Sequence, residues 1–321
     1  MKATKIISAC AVLVALASCS NDHVISQPGA EDTPIHIQAN VGGITTRAAS
    51  SIQGTQFDNN ESVNVYIYEH TTGGSATYNY GTNGLVTCTA DGSGNLNPGS
   101  IFYPQNGNGI DVYGVYPTSV KENASSQDFS VNTDQSNATN YKTSDLMYAS
   151  CESNHTKGTP VSLTFKHKLS KVTVELVAGT GFQDADLNNA VVKITNTSTK
   201  CSILSLNESG IGAITASSTS SDIKPIEIGT WNSSSKEKMS AIVIPQTVNK
   251  GTVLFEVTLA GTTNPYKYTI PSDGSDVTFA GSNEYKYKLT IKIDGIDVKS
   301  TITPWTDATS GTPTEGDANL D

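Results

Sequence analysis

Arg47 is the residue whose type and position most directly suggest chemistry, and that chemistry is proteolysis. It is the only arginine in the chain, and no other lysine or arginine occurs between Ile6 and Val120. The residues around it are small and polar, which suits the accessible, extended segment that a protease requires. The sequence therefore predicts a single trypsin-like cleavage site in this region. The alternative is that Arg47 is an ordinary solvated surface charge.

The first nineteen residues predict export and attachment of a lipid. Lys2 and Lys5 form a basic start, residues 6–17 are an almost unbroken apolar run, and small residues precede Cys19. Such a segment is too short to span a bilayer and is typical of a secretory signal that is removed. Its ending resembles the lipobox of bacterial lipoproteins, which implies a diacylglyceryl group on the Cys19 thiol. The alternative is an ordinary signal peptide with an incidental cysteine.

Residues that could catalyse a reaction or bind a metal do not form a known motif. The chain has no G-x-S-x-G, Walker or G-x-G-x-x-G sequence. Asp184, Asp186 and Asn188 are spaced like the start of a calcium loop, but Asn189 and Thr195 replace its glycine and glutamate. None of the histidines is spaced as a zinc pair, and His167 is interpreted as a partly exposed strand residue. The five histidines are His23, His36, His70, His155 and His167. We therefore expect a protein that is not an enzyme and needs neither a cofactor nor a metal.

Three cysteines remain after the lipid site, and we expect them to be structural or free thiols. They are Cys88, Cys151 and Cys201, and an odd number cannot all pair. A bridge between Cys88 and Cys151 in an oxidising compartment is the alternative.

Charge and composition favour an extracellular protein over one that binds nucleic acid. The chain has 20 basic and 30 acidic residues, and loss of the signal leaves 18 basic residues and a net charge near -12. Such a surface repels phosphate backbones and anionic lipids. Polar surface comes mainly from Ser, Thr, Asn and Gly, which are poor helix formers. No second apolar run is long enough to span a membrane.

Alternation of apolar and polar residues predicts an all-β fold of half-buried, antiparallel strands. The predicted strands are 35–41, 63–68, 110–113, 161–165, 172–176, 253–259 and 285–293. Clusters of Gly, Asn and Asp between them predict turns, for example at 91–94 and 106–109. Only residues 182–190 suggest a short turn or helix. A polar excursion at 121–143 predicts a domain boundary shortly after it.

Ten short segments together carry a family resemblance. The segments are Cys19, Thr46-Arg47-Ala48, Val63-Asn64-Val65-Tyr66, Ile101-Phe102-Tyr103-Pro104, Val112 to Pro117, Asp145 to Ala149, Phe165 to Val172, Ile244-Pro245-Gln246, Tyr285 to Leu289 and Ile302 to Trp305. Each segment is weak alone, but their order along residues 16–305 is specific, above all in the Phe-x-His-x-Leu-Ser-Lys-Val segment. On these segments the chain resembles the fimbrillin family of Bacteroidales fimbriae, that is, the type V pilins and their Mfa-like relatives.

The resemblance implies a lipoprotein precursor with two transthyretin-like antiparallel β-sandwich domains, at 48–158 and 159–305, after a signal peptide at 1–18. It implies that an arginine-specific protease cuts between Arg47 and Ala48 and removes the propeptide 19–47 with the first strand. The groove left behind then accepts a strand from a neighbouring subunit, because an empty edge offers unpaired backbone groups and apolar pockets. The inward residues of the displaced strand are Ile35, Ile37, Ala39 and Val41.

The polar tail at 306–321 departs from the pattern expected of a stalk subunit. It carries four acidic residues, two glycines and a proline, and it lacks an alternating apolar stretch. A tip or accessory subunit that accepts a strand without donating one is therefore favoured over a stalk subunit. Residues 298–305 are the alternative donor.

We thus expect a structural subunit of cell-surface fimbriae that supports adhesion. Its location is the outer membrane as a lipidated precursor and then the fimbrium. Its partners are other fimbrial subunits, the protease and a host or bacterial surface protein or glycan. The alternative is a surface glycan-binding lipoprotein, with Trp231 as the best aromatic residue for a sugar contact.

Overall fold

Extended strands make up most of the structure. The computed structural model describes residues 32–42, 54–72, 80–228, 238–305 and 317–318. These ranges contain one short α-helix and one 3-10 turn, so the all-β prediction is confirmed. No helix within the described ranges is long and apolar enough to cross a membrane. Residues from Thr33 onward form one compact unit.

Seven strands of the N-terminal half form a closed barrel. Its hydrogen-bonding order is β1-β4-β3-β2-β5-β7-β8, and β8 returns to β1. Apolar side chains from every one of these strands fill the interior. The strands of this half are β1 (Ile37–Val41), β2 (Ser62–Glu69), β3 (Leu85–Ala90), β4 (Asn95–Asn97), β5 (Ile110–Tyr116), β6 (Gln127–Ser130), β7 (Met147–His155) and β8 (Val161–His167).

The C-terminal half contains shorter strands and more of them. The helix α1 (Ala138–Thr143) precedes this half, and a 3-10 turn (Asp184–Leu187) lies within it, in the segment where a short turn or helix is predicted. The strands are β9 (Ser170–Ala178), β10 (Val191–Ser198), β11 (Lys200–Ile203), β12 (Leu206–Asn207), β13 (Gly210–Ile211), β14 (Ile214–Ala216), β15 (Ser220–Ile223), β16 (Ile226–Glu227), β17 (Lys238–Val243), β18 (Gln246–Val248), β19 (Val253–Thr258), β20 (Tyr266–Thr269), β21 (Val277–Phe279), β22 (Asn283–Lys292), β23 (Gly295–Pro304) and β24 (Asp317–Ala318).

Two facing sheets enclose the second core. One has the order β16-β17-β9-β22-β23-β24 and the other β15-β10-β19-β20. Phe255 of β19 and Tyr287 of β22 meet across the core, with ring centroids 4.8 Å apart in an edge-to-face arrangement. Such a contact requires that the two sheets pack face to face.

Strand pairing corrects three details of the predicted architecture. The predicted boundary between residues 158 and 159 separates β8 from the barrel that it completes. In the opposite sense, β6 comes from the N-terminal half but pairs with β11 of the C-terminal half. The sheets are not purely antiparallel, because β1 pairs in parallel with β8 and β9 pairs in parallel with β22. Alternation reports which face of a strand is buried but says nothing of its partner or direction.

Strands β2 and β5 are buried on both faces rather than half-buried. Their inner faces fill the barrel, and their outer faces lie under residues 118–146, which we call the strap. Asn64 of β2 donates its side-chain amide to the carbonyls of Thr118 and Val120 at 3.0 and 3.1 Å. Tyr66 and Tyr113 stack with their rings 4.9 Å apart. In β2, aliphatic residues face the barrel interior, and the aromatic and polar residues between them face the strap. Neither side of the strand is therefore exposed to solvent.

The strap also binds the C-terminal sheet. The Gln135 side chain is fully buried, and its amide exchanges two hydrogen bonds of 2.8 Å with the backbone of Ile242 in β17. Tyr141 of α1 lies 3.0 Å from the Ser240 hydroxyl in the same strand. The Gln135 amide thus forms the hydrogen bonds that a neighbouring strand would form with Ile242. Through these contacts the strap joins the N-terminal and C-terminal halves.

The Phe-x-His-x-Leu-Ser-Lys-Val segment is the passage from the barrel to the second sheet. Phe165 lies inside the barrel, whereas Leu169 and Val172 lie in the second core. His167 is buried between them, contrary to the partly exposed position expected. Its Nδ1 lies 2.8 Å from Asp145 Oδ2, and its ring stacks on Trp305 at 3.6 Å. Residues far apart in sequence cover the histidine, which is why local pattern misplaced it.

Candidate functional site

The first strand closes the barrel and is held along both of its edges. On one side β1 runs parallel to β8, with Ile37 opposite Val161 and Val41 opposite Phe165. On the other side it runs antiparallel to β4, with Ile37 opposite Leu96. We call the space that β1 occupies between β4 and β8 the slot.

Backbone pairing extends beyond the regular strand at both ends. Before β1, Ile35 N donates to Ile101 O at 3.0 Å and Tyr103 N donates to Thr33 O at 2.9 Å. After it, Gly42 N donates to Phe165 O at 2.8 Å. The paired segment therefore covers residues 33–42.

The two edges of the slot differ in construction. The β8 edge is one continuous strand, whereas the opposite edge is assembled from β4, from residues 101–103 and from Thr55, whose carbonyl accepts from Val41 N at 2.8 Å. The β4 strand is only three residues long. The carboxylate of Asp91, which accepts from the backbone N–H groups of Ser93 and Asn95, fixes the turn before it. A hydrogen bond from the Asn95 side chain, followed by these two backbone hydrogen bonds, lowers the pKa of Asp91.

Inward side chains of this segment fill the slot. Ile35, Ile37 and Ala39 are 1–2% exposed, and Val41 is only partly buried. The alternate residues His36, Gln38 and Asn40 face solvent. Burying a side chain the size of isoleucine contributes about 1.5–3 kcal/mol. An empty slot would therefore cost several kcal/mol of stabilisation.

Apolar side chains of the barrel core adjoin the inward-facing residues of β1, and we call them the apolar floor of the slot. They are Leu96, Val161, Leu163, Phe165 and Phe57. The rings of Phe57 and Phe165 meet edge to face at 4.9 Å. A Cβ at position 114 would lie 2.4 Å from Phe165 Cζ, so only Gly114 in β5 allows this ring position. The slot thus offers an apolar floor and two backbone edges, which suits a strand and not a small polar substrate.

Four of the predicted site residues lie outside the described part of the chain. They are Cys19, Arg47, Ala48 and Trp231. Arg47 and Ala48 belong to residues 43–53, between two points that the Val41–Thr55 hydrogen bond holds together.

The three cysteines that follow Cys19 in the sequence are free thiols. Cys88 lies in β3, Cys151 in β7 and Cys201 in β11. Burial raises the pKa of the Cys88 thiol to about 12 and those of Cys151 and Cys201 to about 11. Such thiols are poor nucleophiles at neutral pH. Among the described residues no group of three or more His, Cys, Asp and Glu side chains could hold a metal ion.

Comparison with known proteins identifies the family. The sequence profile of the fimbrillin-like family matches residues 46–305, which is most of the chain. The chain belongs to the fimbrillin-like family. The resemblance drawn from the sequence motifs is thereby confirmed. A candidate fimbrium subunit of Bacteroides uniformis, Fim1C, is similar over 325 residues at 26% identity, covering 97% of this chain and 98% of that protein.

Solved structures support the fold of this fimbrillin-like chain. A candidate cell adhesion protein from Bacteroides uniformis matches with a TM-score of 0.61 at 23% identity, covering 85% of this chain and 99% of the other. A second one, from Bacteroides ovatus, matches with a TM-score of 0.62 at 14% identity, covering 86% and 99%. At such identities the likeness concerns the fold alone.

The structure adds residues to the slot that sequence reasoning did not assign to it. Residues 101–103 of one resemblance segment pair with the start of the fimbrillin-like chain's first strand, and Thr55 pairs with its end. The turn clusters at 91–94 and 106–109 flank two of the barrel strands, but alternation is absent at 101–103. Only the family segment itself could have drawn attention to these residues.

Proposed function

We propose that this fimbrillin-like protein is a structural subunit of cell-surface fimbriae and that it assembles when another strand replaces β1 in the slot. The position of β1 carries the proposal. This strand closes the barrel, and it precedes the only arginine of the chain by a few residues. Cleavage at Arg47 would leave β1 attached to the barrel through noncovalent contacts alone.

Processing supplies the direction of the exchange. Before cleavage β1 is tethered through residues 43–53. A short linker of this kind gives the tethered strand an effective concentration at the slot on the order of millimolar. A free strand cannot compete with that. After cleavage the propeptide 19–47 dissociates, and an incoming strand meets two unpaired edges and the apolar floor.

Localisation and partners follow from the same scheme. The precursor would be anchored in the outer membrane through a lipid on Cys19, and the processed subunit would join the fimbrium. An arginine-specific protease and other fimbrial subunits are the required partners. A host or bacterial surface protein or glycan is the adhesion target. The fold description as two transthyretin-like domains belongs to this proposal, with the N-terminal barrel becoming an open sandwich once β1 leaves.

A tip or accessory role fits the C-terminal half better than a stalk role. Residues 298–305 were the alternative donor, but β23 pairs with β22 from Asn283–Pro304 to Lys292–Gly295. Donation by this segment would break a ten-residue antiparallel pair inside the subunit's own sheet. We therefore favour a subunit that accepts a strand and does not pass one on through β23.

The glycan-binding alternative has less support. Eleven of the thirteen tyrosines are buried, including Tyr285 and Tyr287 of β22, so they pack in cores and do not form a platform for sugar rings. Trp231 lies outside the described residues.

Strand exchange is tested with purified precursor lacking the signal and the lipidated cysteine. An arginine-specific protease cuts this protein at one position only, and a fluorescent peptide of residues 33–42 is then offered in excess. We expect the cleaved protein to bind the peptide, as measured by comigration in gel filtration, and the uncleaved Arg47→Ala protein to exclude it. A peptide with Ile37→Asp is the matched control and should not bind.

In the native host, Arg47→Ala should keep the subunit at precursor mass in the membrane fraction and out of fimbriae. Entry of this variant into fimbriae at the wild-type level would show that cleavage at Arg47 is not the switch. If the purified protein binds the peptide equally well before and after cleavage, cleavage at Arg47 does not control access to the slot.

A further inference from the structure

The inward side chains of the paired segment 33–42 are large at its start and smaller towards its end. Ile35 and Ile37 come first, and Ala39 and Val41 follow. The first three of these are almost fully buried. In a closely packed interior, a buried residue as small as alanine means that neighbouring atoms already fill the space around it. The size order is therefore a property of the slot as well as of the strand.

The position of Ile37 lies between aliphatic neighbours. Val161 of β8 is opposite Ile37 on one edge, and Leu96 of β4 is opposite it on the other. Both neighbours are buried in the barrel core. Directly opposite residues of paired strands point to the same face and contact each other. A large aliphatic side chain is thus needed here to fill the space between the two edges.

The other end of the slot is lined by aromatic rings. Val41 lies opposite Phe165 of β8. Phe57 comes two residues after Thr55, whose carbonyl accepts from Val41 N. The centroid of the Phe57 ring is 4.9 Å from that of Phe165 and 5.4 Å from that of Tyr116. Three bulky rings therefore adjoin the second half of β1.

This aromatic end is already filled by the ring of Phe165. Ala149 of β7 lies opposite Phe165, and Gly114 of β5 lies opposite Ala149, so two small residues follow the ring around the barrel. Even a methyl group on Gly114 would collide with the ring. Because neighbours in a dense core share a fixed volume, the small size of Ala39 on the other side of the ring has the same cause.

The outward residues of the segment are free of this constraint. His36, Gln38 and Asn40 alternate with the buried residues and are exposed to solvent. A change in their size alters no packing inside the barrel. The slot therefore distinguishes strands by their inward residues alone.

We propose that the slot selects its incoming strand by the order of inward side-chain sizes. The strand that fits runs parallel to β8 and carries two large aliphatic residues followed by a small one. This inference rests on the strand exchange proposed above and names the class of donor. Such a strand inserted in the opposite direction would place large side chains against the rings and a small one between Val161 and Leu96. Overpacking and a void would both weaken its binding, so the size order sets the direction of insertion as well.

Peptides that differ only in size order test the proposal. Fluorescent peptides of residues 33–42 are titrated with cleaved protein, and Kd is measured by fluorescence polarisation. A peptide with Ile37→Ala and Ala39→Ile has the composition of the wild-type peptide, yet its Kd should rise at least about a hundredfold. Ala39→Ile alone should raise Kd at least about tenfold, although isoleucine favours strands more than alanine does.

The matched control is a peptide with Gln38→Ile, which adds the same side chain on the exposed face and should bind as well as the wild-type peptide. Equal binding of the wild-type peptide and the peptide with Ile37 and Ala39 exchanged would overturn the size order and leave strand exchange intact.

A wider aromatic end should relax the size limit. Phe165→Leu or Phe57→Leu in the protein removes part of a ring next to the second half of β1. On at least one of these variants the peptide with Ala39→Ile should bind nearly as well as the wild-type peptide does. If neither variant narrows the difference between the two peptides, the rings do not limit the size at position 39, which contradicts the proposal.

The uncleaved precursor gives a test that does not depend on strand exchange. Ala39→Ile in the precursor should lower Tm by at least about 3 °C, whereas Gln38→Ile should leave it unchanged. An unchanged or higher Tm for Ala39→Ile would overturn the size limit. If the wild-type peptide fails to bind the cleaved protein, strand exchange at the slot is wrong, and the melting temperatures still decide whether the slot limits side-chain size.

Discussion

Strands β1 and β22 make a natural comparison, because each pairs in parallel with one part of the stretch 161–178. The first lies beside β8 in the barrel, and the second lies beside β9 in the C-terminal sheet. The β1 contacts consist of backbone hydrogen bonds and apolar side chains. The β22 strand has those contacts too, and in addition a buried ion pair to its parallel neighbour.

That ion pair connects Lys171 of β9 to Glu284 of β22 at 3.0 Å, with both side chains at most 3% exposed. The Thr173 hydroxyl also donates to Glu284, at 2.9 Å. Burial opposes ionisation of Glu284, but the charges of Lys171 and Lys286 outweigh it and hold its pKa below the usual 4.5. Burial lowers the pKa of Lys171, and Glu284 opposes that shift. Two charges buried together form a stable pair in neutral solution.

The difference shows what makes a strand replaceable. Any strand with suitable alternation and inward side chains of suitable size can satisfy an apolar floor and two backbone edges. A buried lysine requires a carboxylate at one position of the neighbouring strand, and loss of that carboxylate leaves an uncompensated buried charge. The slot is therefore chemically permissive, whereas the β9–β22 pair is specific and permanent.

Among the variants that test this difference, Glu284→Ala is expected to lose the most stability. Leaving Lys171 buried without its partner should cost about 3–5 kcal/mol of unfolding free energy, measured by urea denaturation. The double variant Lys171→Met with Glu284→Leu should recover most of this loss, because it removes both charges together. A double variant as unstable as Glu284→Ala would mean that the loss comes from packing and not from the unpaired charge.

Packing in β22 should be nearly as sensitive. Leu289 is fully buried, so Leu289→Ala should cost about 2–5 kcal/mol, whereas exposed Lys288→Ala should be near neutral. Thermal and urea unfolding of the two variants provide the measurement. Equal losses would contradict the inward register of this strand.

Ile37→Ala in β1 should cost about 2–3 kcal/mol in the uncleaved precursor, with Gln38→Ala near neutral as its exposed control. Once the protein is cleaved and β1 is exchanged for a wild-type peptide, the Ile37→Ala loss should vanish. The Leu289→Ala loss should persist in the same preparation. If the Ile37→Ala loss survives the exchange, β1 is as permanent as β22.

Acid should weaken the Lys171–Glu284 ion pair gradually, and the resulting loss of stability should be smaller than that caused by the substitutions above. Glu284 has a lowered pKa in the folded protein, so its contribution is present above 4.5 and is lost as the pH falls through the folded pKa. We expect urea stability to decline below pH 4.5 more steeply in the wild type than in Glu284→Gln. Parallel pH profiles would assign the acid sensitivity to other carboxylates.

Much of the local structure follows from the amino-acid sequence itself. The alternation at residues 35–41 and 285–291 marks which side chains face a core, since strand side chains alternate between faces. The Asp91-Gly92-Ser93-Gly94 cluster marks the turn before β4 because glycine and Asx turns are local features. The single arginine after the first strand and the apolar run before Cys19 are likewise visible without a structure.

Tertiary structure decided which strands meet and what covers them. Nothing in the period of residues 161–165 shows that they pair in parallel with a strand more than a hundred residues earlier, because alternation is the same for every partner. The burial of His167 under Trp305 and the burial of Lys171 against Glu284 depend on segments distant in sequence. Polarity alone predicts exposure for such residues, and only a partner that compensates their desolvation allows them inside.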